Sequence, residues 1–216
     1  RLADSVIEHV PEGAVMLSWW DTSRQLSMLT GVAVHYDQNL PRPLILPPDW
    51  HDKRDSIEAL ERVFWRMPEP GTSDFGRFLD ALAAPATEGI AALTRIADGR
   101  PAFIAVQLAD AYKLALARPQ EIGIGYRDFS RTGDIHDDIR QVKDWLARQG
   151  FGVYAVEQMG IARNRIYYAA DEETADALLM RMLPFGEFEP LALEGLKLVA
   201  NYGSYWVYEI VPAIPE

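Results

Sequence analysis

The sequence predicts an α/β protein: a mixed, mainly parallel sheet with helices on both faces and a C-terminal β-hairpin. Short apolar runs, residues 14–19 and 102–108 the clearest, alternate with longer segments of helical period. Strands that alternate with helices along one chain argue for a sheet covered by helices. Near the end, residues 196–200 and 205–211 flank Asn201-Tyr202-Gly203-Ser204, which reads as a hairpin turn.

Each element has a local reason. Residues 2–9 form a short amphipathic helix, broken by Pro11-Glu12-Gly13. Residues 14–19 form a buried strand. Asp21, Thr22 or Ser23 can cap the helix that follows, which presents Leu26, Met28 and Leu29 and stops at Gly31. Residues 32–36 make a short strand, and the Pro-rich stretch 40–48 is extended cover. Helices are expected over 50–67, 75–82 and 90–97, then strand 102–108, helix 109–117 and strand 121–129. Ser130-Arg131-Thr132-Gly133 turns the chain, and Asp134 caps a helix over 135–148 with Ile135, Ile139, Val142, Trp145 and Leu146 in one stripe. Strands at 151–157 and 165–170 and a helix over 172–183 precede the hairpin.

With 216 residues, half of them hydrophobic, the chain is long enough for one folded domain, read as spanning 1–216. Its 32 acids against 21 bases leave a net charge of −11. That argues against nucleic acid and gives no reason to sit on an anionic membrane. It could steer a basic protein partner. There is no cysteine, which excludes disulfides and thiolate metal sites. No run of about 18 apolar residues is present to span a bilayer. Because the chain opens on Arg1 within a helical pattern, a preceding membrane anchor is expected.

The junction after the first strand is the best candidate site. In open α/β sheets, ligands sit beyond the carboxyl ends of strands. Trp19 and Trp20 can wall a pocket, and Asp21 can anchor an amine or hydroxyl or simply cap its helix. Ser23 belongs to the same turn. Arg24, three residues after Asp21, is either a paired surface charge or half of a carboxylate-recognition pair. His35, with Asp37, could face Asp21 across a cleft. His136 among Asp134, Asp137 and Asp138 resembles a metal site in composition, but acids at a helix N-terminus need no metal. No metal, cofactor or catalytic residue is assigned. No nucleophile elbow, phosphate loop or zinc helix occurs, and Gly123-Ile124-Gly125 lies inside a strand. Tyr126-Arg127-Asp128-Phe129 reads either as an edge strand or as a contributor to the edge that holds Asp21. Tyr202, Tyr205, Trp206 and Tyr208 read as cross-strand packing with one face open to a protein contact.

Two resemblances follow from these residues. Val15-Met16-Leu17-Ser18-Trp19-Trp20-Asp21 and the closing hairpin resemble the extracytoplasmic domain of oligosaccharyltransferase catalytic subunits, whose Trp-Trp-Asp-Tyr-Gly motif helps recognise the acceptor peptide. Here Thr22-Ser23 stand where that motif has Tyr-Gly, so this resemblance implies kinship of fold.

The second covers most of the chain. Ser18-Trp19-Trp20-Asp21-Thr22-Ser23-Arg24-Gln25, Leu29-Thr30-Gly31, Pro43-Leu44-Ile45-Leu46-Pro47, Gly125-Tyr126-Arg127-Asp128-Phe129 and Tyr205-Trp206-Val207-Tyr208-Glu209 resemble the HaoB family, associated with hydroxylamine oxidation. The resemblance implies a periplasmic domain, tethered to the inner membrane, acting alongside hydroxylamine oxidoreductase. It supplies no catalytic residues. Three readings stay open: a non-catalytic accessory or assembly domain, a peptide- or glycan-binding module, and a small-molecule enzyme built on Asp21, Arg24 and His35.

Overall fold

In the computed structural model of the chain, the described residues are 2–36, 48–65, 74–129, 134–158, 165–186, 192–202 and 204–211. The expected Pro-rich cover over 40–47, Asp37, the turn at 130–133 and Gly203 lie outside them.

The helices are α1 (Leu2–His9), α2 (Trp20–Thr30), α3 (Arg54–Trp65), α4 (Asp74–Ala83), α5 (Ala86–Ala97), α6 (Leu108–Ala117), α7 (Ile135–Gln149) and α8 (Leu178–Arg181). The strands are β1 (Val15–Ser18), β2 (Ala33–Val34), β3 (Ala102–Gln107), β4 (Ile124–Phe129), β5 (Val153–Gln158), β6 (Arg165–Ala170), β7 (Leu196–Tyr202) and β8 (Tyr205–Ile210).

Five strands form a mixed sheet in the order β2-β1-β3-β8-β7. β1 runs parallel to both β2 and β3, while β8 joins β3 antiparallel and pairs with β7 as the C-terminal hairpin. A second, antiparallel sheet has the order β4-β6-β5. Tyr126-Arg127-Asp128-Phe129 therefore lies on the edge strand of this second sheet, not on the edge that holds Asp21.

The period-2 alternation of side chains divides the first sheet into two covered faces. Val15, Leu17, Ile104, Val106 and Tyr208 pack with Phe75, Phe78 and Leu82 of α4, Leu93 of α5, Leu114 of α6 and Leu179 of α8. Met16, Phe103, Ala105 and Val207 pack on the opposite face with Val6 of α1 and Leu26 of α2. Helices thus cover both faces, as the fold class requires. On the second sheet, Tyr167 and Ala169 pack under Val142 and Trp145 of α7.

Several local expectations hold for their stated reasons. Gly31 ends α2 at φ 71° and its N–H reaches Ser27 O at 3.0 Å. Asp134 caps α7 by accepting the His136 N–H at 2.8 Å.

Other expectations are corrected. Over 172–183 there is no continuous helix. Ala177 is extended (φ −61°, ψ 142°), and the Leu178 N–H bonds Ala84 O at 2.8 Å, so a tertiary hydrogen bond displaces a helical one. Residues 48–53 are a 3₁₀ helix rather than the start of α3. Of the three apolar residues expected to face inward on α2, Leu26 enters the core, while Met28 and Leu29 are exposed. Along α7 the expected stripe is buried only in its C-terminal half, and Ile135 and Ile139 are exposed.

Candidate functional site at the carboxyl edge of the first sheet

β1 and β3 are parallel neighbours whose chains leave toward opposite faces. The chain after β1 enters α2 on one face, and the chain after β3 enters α6 on the other. In open α/β sheets, ligands bind outside the carboxyl ends of two adjacent strands that diverge in this way. There the Trp19-Trp20-Asp21 junction meets α6 through Lys113.

The junction is built tightly. Trp19 is not helical (φ −55°, ψ 142°), and α2 starts at Trp20 with no side-chain cap. Asp21 therefore lies inside the first turn rather than at the cap. Ser23 takes over the fixing of the helix start: its hydroxyl donates to Ser18 O at 3.2 Å and lies 2.7 Å from the Ser18 hydroxyl. Both serines are fully buried, so each needs the other to satisfy its polar atoms. Trp19 is buried and meets Phe75 edge-on, with centroids 5.5 Å apart. Trp20 is half-buried against the same cluster.

Asp21 is answered from α6. Lys113 donates to Asp21 Oδ2 at 3.0 Å and to Asp110 Oδ1 at 3.1 Å, and its ammonium lies 5.4 Å from the Trp19 ring centroid. Asp110 also accepts the Gln107 N–H at 3.0 Å as part of a capping box at the start of α6. The three side chains differ in exposure: 38% for Asp21, 22% for Lys113 and 3% for Asp110.

Burial pushes the Asp110 carboxyl up to about 6, against the pull of Lys113. Burial acts to lower Lys113, but the carboxylates of Asp110 and Asp21 outweigh it and hold its pKa above the usual lysine value. On the hairpin side stands Tyr205, whose hydroxyl is raised by burial and drawn back by its hydrogen bond to Thr22.

The other expected site residues lie apart from this constellation. Arg24 is exposed on α2, and Asp21 takes Lys113 as its ionic partner. His35 turns its Nδ1 to Arg100 Nη2 at 3.4 Å and meets the Tyr36 ring edge-on. Trp19, Trp20, Asp21 and Ser23 are brought together; Arg24 and His35 are not part of their contacts. Lys113, Asp110 and Tyr205 were not foreseen. The signal for two of them was present: Asp110 and Lys113 sit just after the second clear parallel strand, as Asp21 sits after the first.

Chemically, the arrangement is a cation shared between two carboxylates over an indole. Among the described residues no group of three His, Asp or Glu side chains could hold a metal ion. Nor is any described helix long and apolar enough to cross a membrane.

Comparison with solved structures finds the C-terminal domain of PglB from C. jejuni, with a TM-score of 0.52 at 12% identity, covering 97% of this chain and 98% of that one. At that identity the likeness is one of fold. No curated protein sequence matches the chain. A family profile does match, over residues 1–210. The chain belongs to the family described as HaoA-associated protein HaoB.

Proposed function

We propose that this chain is a non-catalytic accessory or assembly domain that associates with the hydroxylamine oxidoreductase HaoA and acts in the periplasm, tethered to the inner membrane. The family description, HaoA-associated protein, supports the choice of partner. The observation that carries the non-catalytic part is the state of the switch point. Its polar groups answer one another: Lys113 takes both carboxylates, and Ser23 returns to Ser18. A catalytic centre also needs a polar group aimed at a reacting atom, whereas here the ammonium, both carboxylates and both serines are engaged with one another. The junction thus reads as a brace that locks α2 and α6 to the sheet. A peptide- or glycan-binding role at the same place would require Lys113 to release Asp21.

Two assays on the purified chain test the proposal. Mixed with HaoA at low ionic strength, it forms a complex that survives size-exclusion chromatography. Given hydroxylamine and an electron acceptor without HaoA, it produces no turnover above buffer. Failure to associate, or turnover by the chain alone, overturns the reading.

A further inference from the structure

The second sheet carries a feature that the proposed role does not use. β4 is its end strand, and among the described residues no strand pairs with its outer edge. Such an edge presents unpaired backbone N–H and C=O groups, a template for a further strand. Helix α7 runs beside it. Between them lies a groove of about 210 Å³, lined from the strand by Arg127 and Phe129 and from the helix by Gln141, Asp144, Trp145, Arg148 and Gln149. A groove between an edge strand and a helix is the arrangement that captures extended peptides by strand addition.

The groove also states which peptides it fits. The Arg127 guanidinium is exposed and lies 4.8 Å from the Phe129 ring centroid. It makes no hydrogen bond or ion pair among the described residues. Stacking on the ring leaves the N–H edges of a guanidinium free, and that fork matches a carboxylate with two parallel bonds. Arg148 forms a long ion pair with Asp144 at 3.9 Å, so the lining carries two arginines against one aspartate. Trp145 supplies an apolar floor. In a chain of net charge −11, the lining keeps an excess of one positive charge, that of Arg127.

We infer that the groove between β4 and α7 docks an extended acidic segment of a partner protein, which adds to β4 as a strand and seats a carboxylate on Arg127. This holds whatever the identity of the partner proposed above.

The test uses the whole chain and a capped hexapeptide alternating threonine and glutamate, followed by backbone amide and indole NMR shifts. The glutamate peptide is expected to shift the β4 amides and the Trp145 indole. Its glutamine counterpart should bind about tenfold more weakly, the loss expected for a charge-assisted contact. Acetate at matched carboxylate concentration should leave the β4 amides unmoved. Arg127→Gln should weaken the glutamate peptide about tenfold and Arg127→Lys less, because lysine keeps the charge but not the fork. Arg127 is exposed, so an unchanged Tm is expected to show that both variants fold.

Equal binding of the two peptides, shifts mapping away from β4 and α7, or no binding at all overturns the inference. So does acetate reproducing the whole effect, which would make the groove a small-acid pocket instead.

Discussion

Lys113 lies within 3.1 Å of one oxygen on each of two carboxylates, one nearly fully buried and the other part-exposed. Removing it takes away the pull that opposes burial, so at neutral pH Asp110 must either stay ionised in a dry site or take up a proton. Breaking a buried pair from one side costs about 3–5 kcal/mol, and the partial exposure of Lys113 lowers this to about 2–3 kcal/mol. Lys113→Met should therefore lose about that much in urea unfolding at pH 7. The loss should shrink toward pH 5, where Asp110 can take up a proton.

The wild-type pH dependence has a definite sign. The folded Asp110 pKa of about 6 lies above its unfolded value near 3.8, so the folded state holds the extra proton between them. Its stabilising contribution is full below about pH 4 and is lost as pH rises through about 6, by at most about 3 kcal/mol. Relative to Asp110→Asn, the wild type should lose stability over that window. Urea midpoints at pH 4 and pH 6.5 for both proteins measure it; a rise instead of a fall contradicts the assignment.

Asp21 and Trp19 could be picked from sequence because an apolar run ending in aromatics and an acid marks a strand end by itself. Their partner lies 92 positions away from Asp21 on α6, a pairing that no local pattern encodes.

Among elements, α4, α5 and α8 meet at Gly89. A Cβ added there would lie 2.3 Å from Ala81 O and 2.8 Å from Leu178 Cδ2. The first contact is backbone and cannot move aside without parting α4 from α5. Gly89→Ala should cost at least about 1–3 kcal/mol, the range for overpacking, and lower Tm with the fold retained. An effect below about 0.5 kcal/mol, the usual surface range, would mean that the helices are not this close.

The same neighbourhood explains what sequence could not supply. Residues 172–183 have helical composition, yet Leu178 spends its N–H on Ala84 across the molecule. Helix caps and glycine stops were readable at Gly31 and Asp134 because their hydrogen bonds are local. That β4 pairs with β6 in a sheet of its own was not readable. Alternation marks a strand's faces but not its neighbour.

For the whole molecule, the two sheets differ. The first is braced by Lys113 where β1 and β3 diverge, and among the described residues no strand pairs with the outer edge of β4 in the second. The charge of −11 should make association with a partner salt-dependent where opposite charges meet, with a slower on-rate as ionic strength rises. Rates of complex formation between about 20 mM and 500 mM salt, spanning Debye lengths of roughly 20 Å down to about 4 Å, would show it. A flat profile would assign the interface to apolar contacts instead.

If the chain serves HaoA as a bound accessory, sedimentation velocity of the two purified proteins mixed at low salt should show it. A boundary moving faster than HaoA alone and carrying both proteins is expected. Two boundaries at the positions of the separate proteins, at every concentration tried, would contradict it.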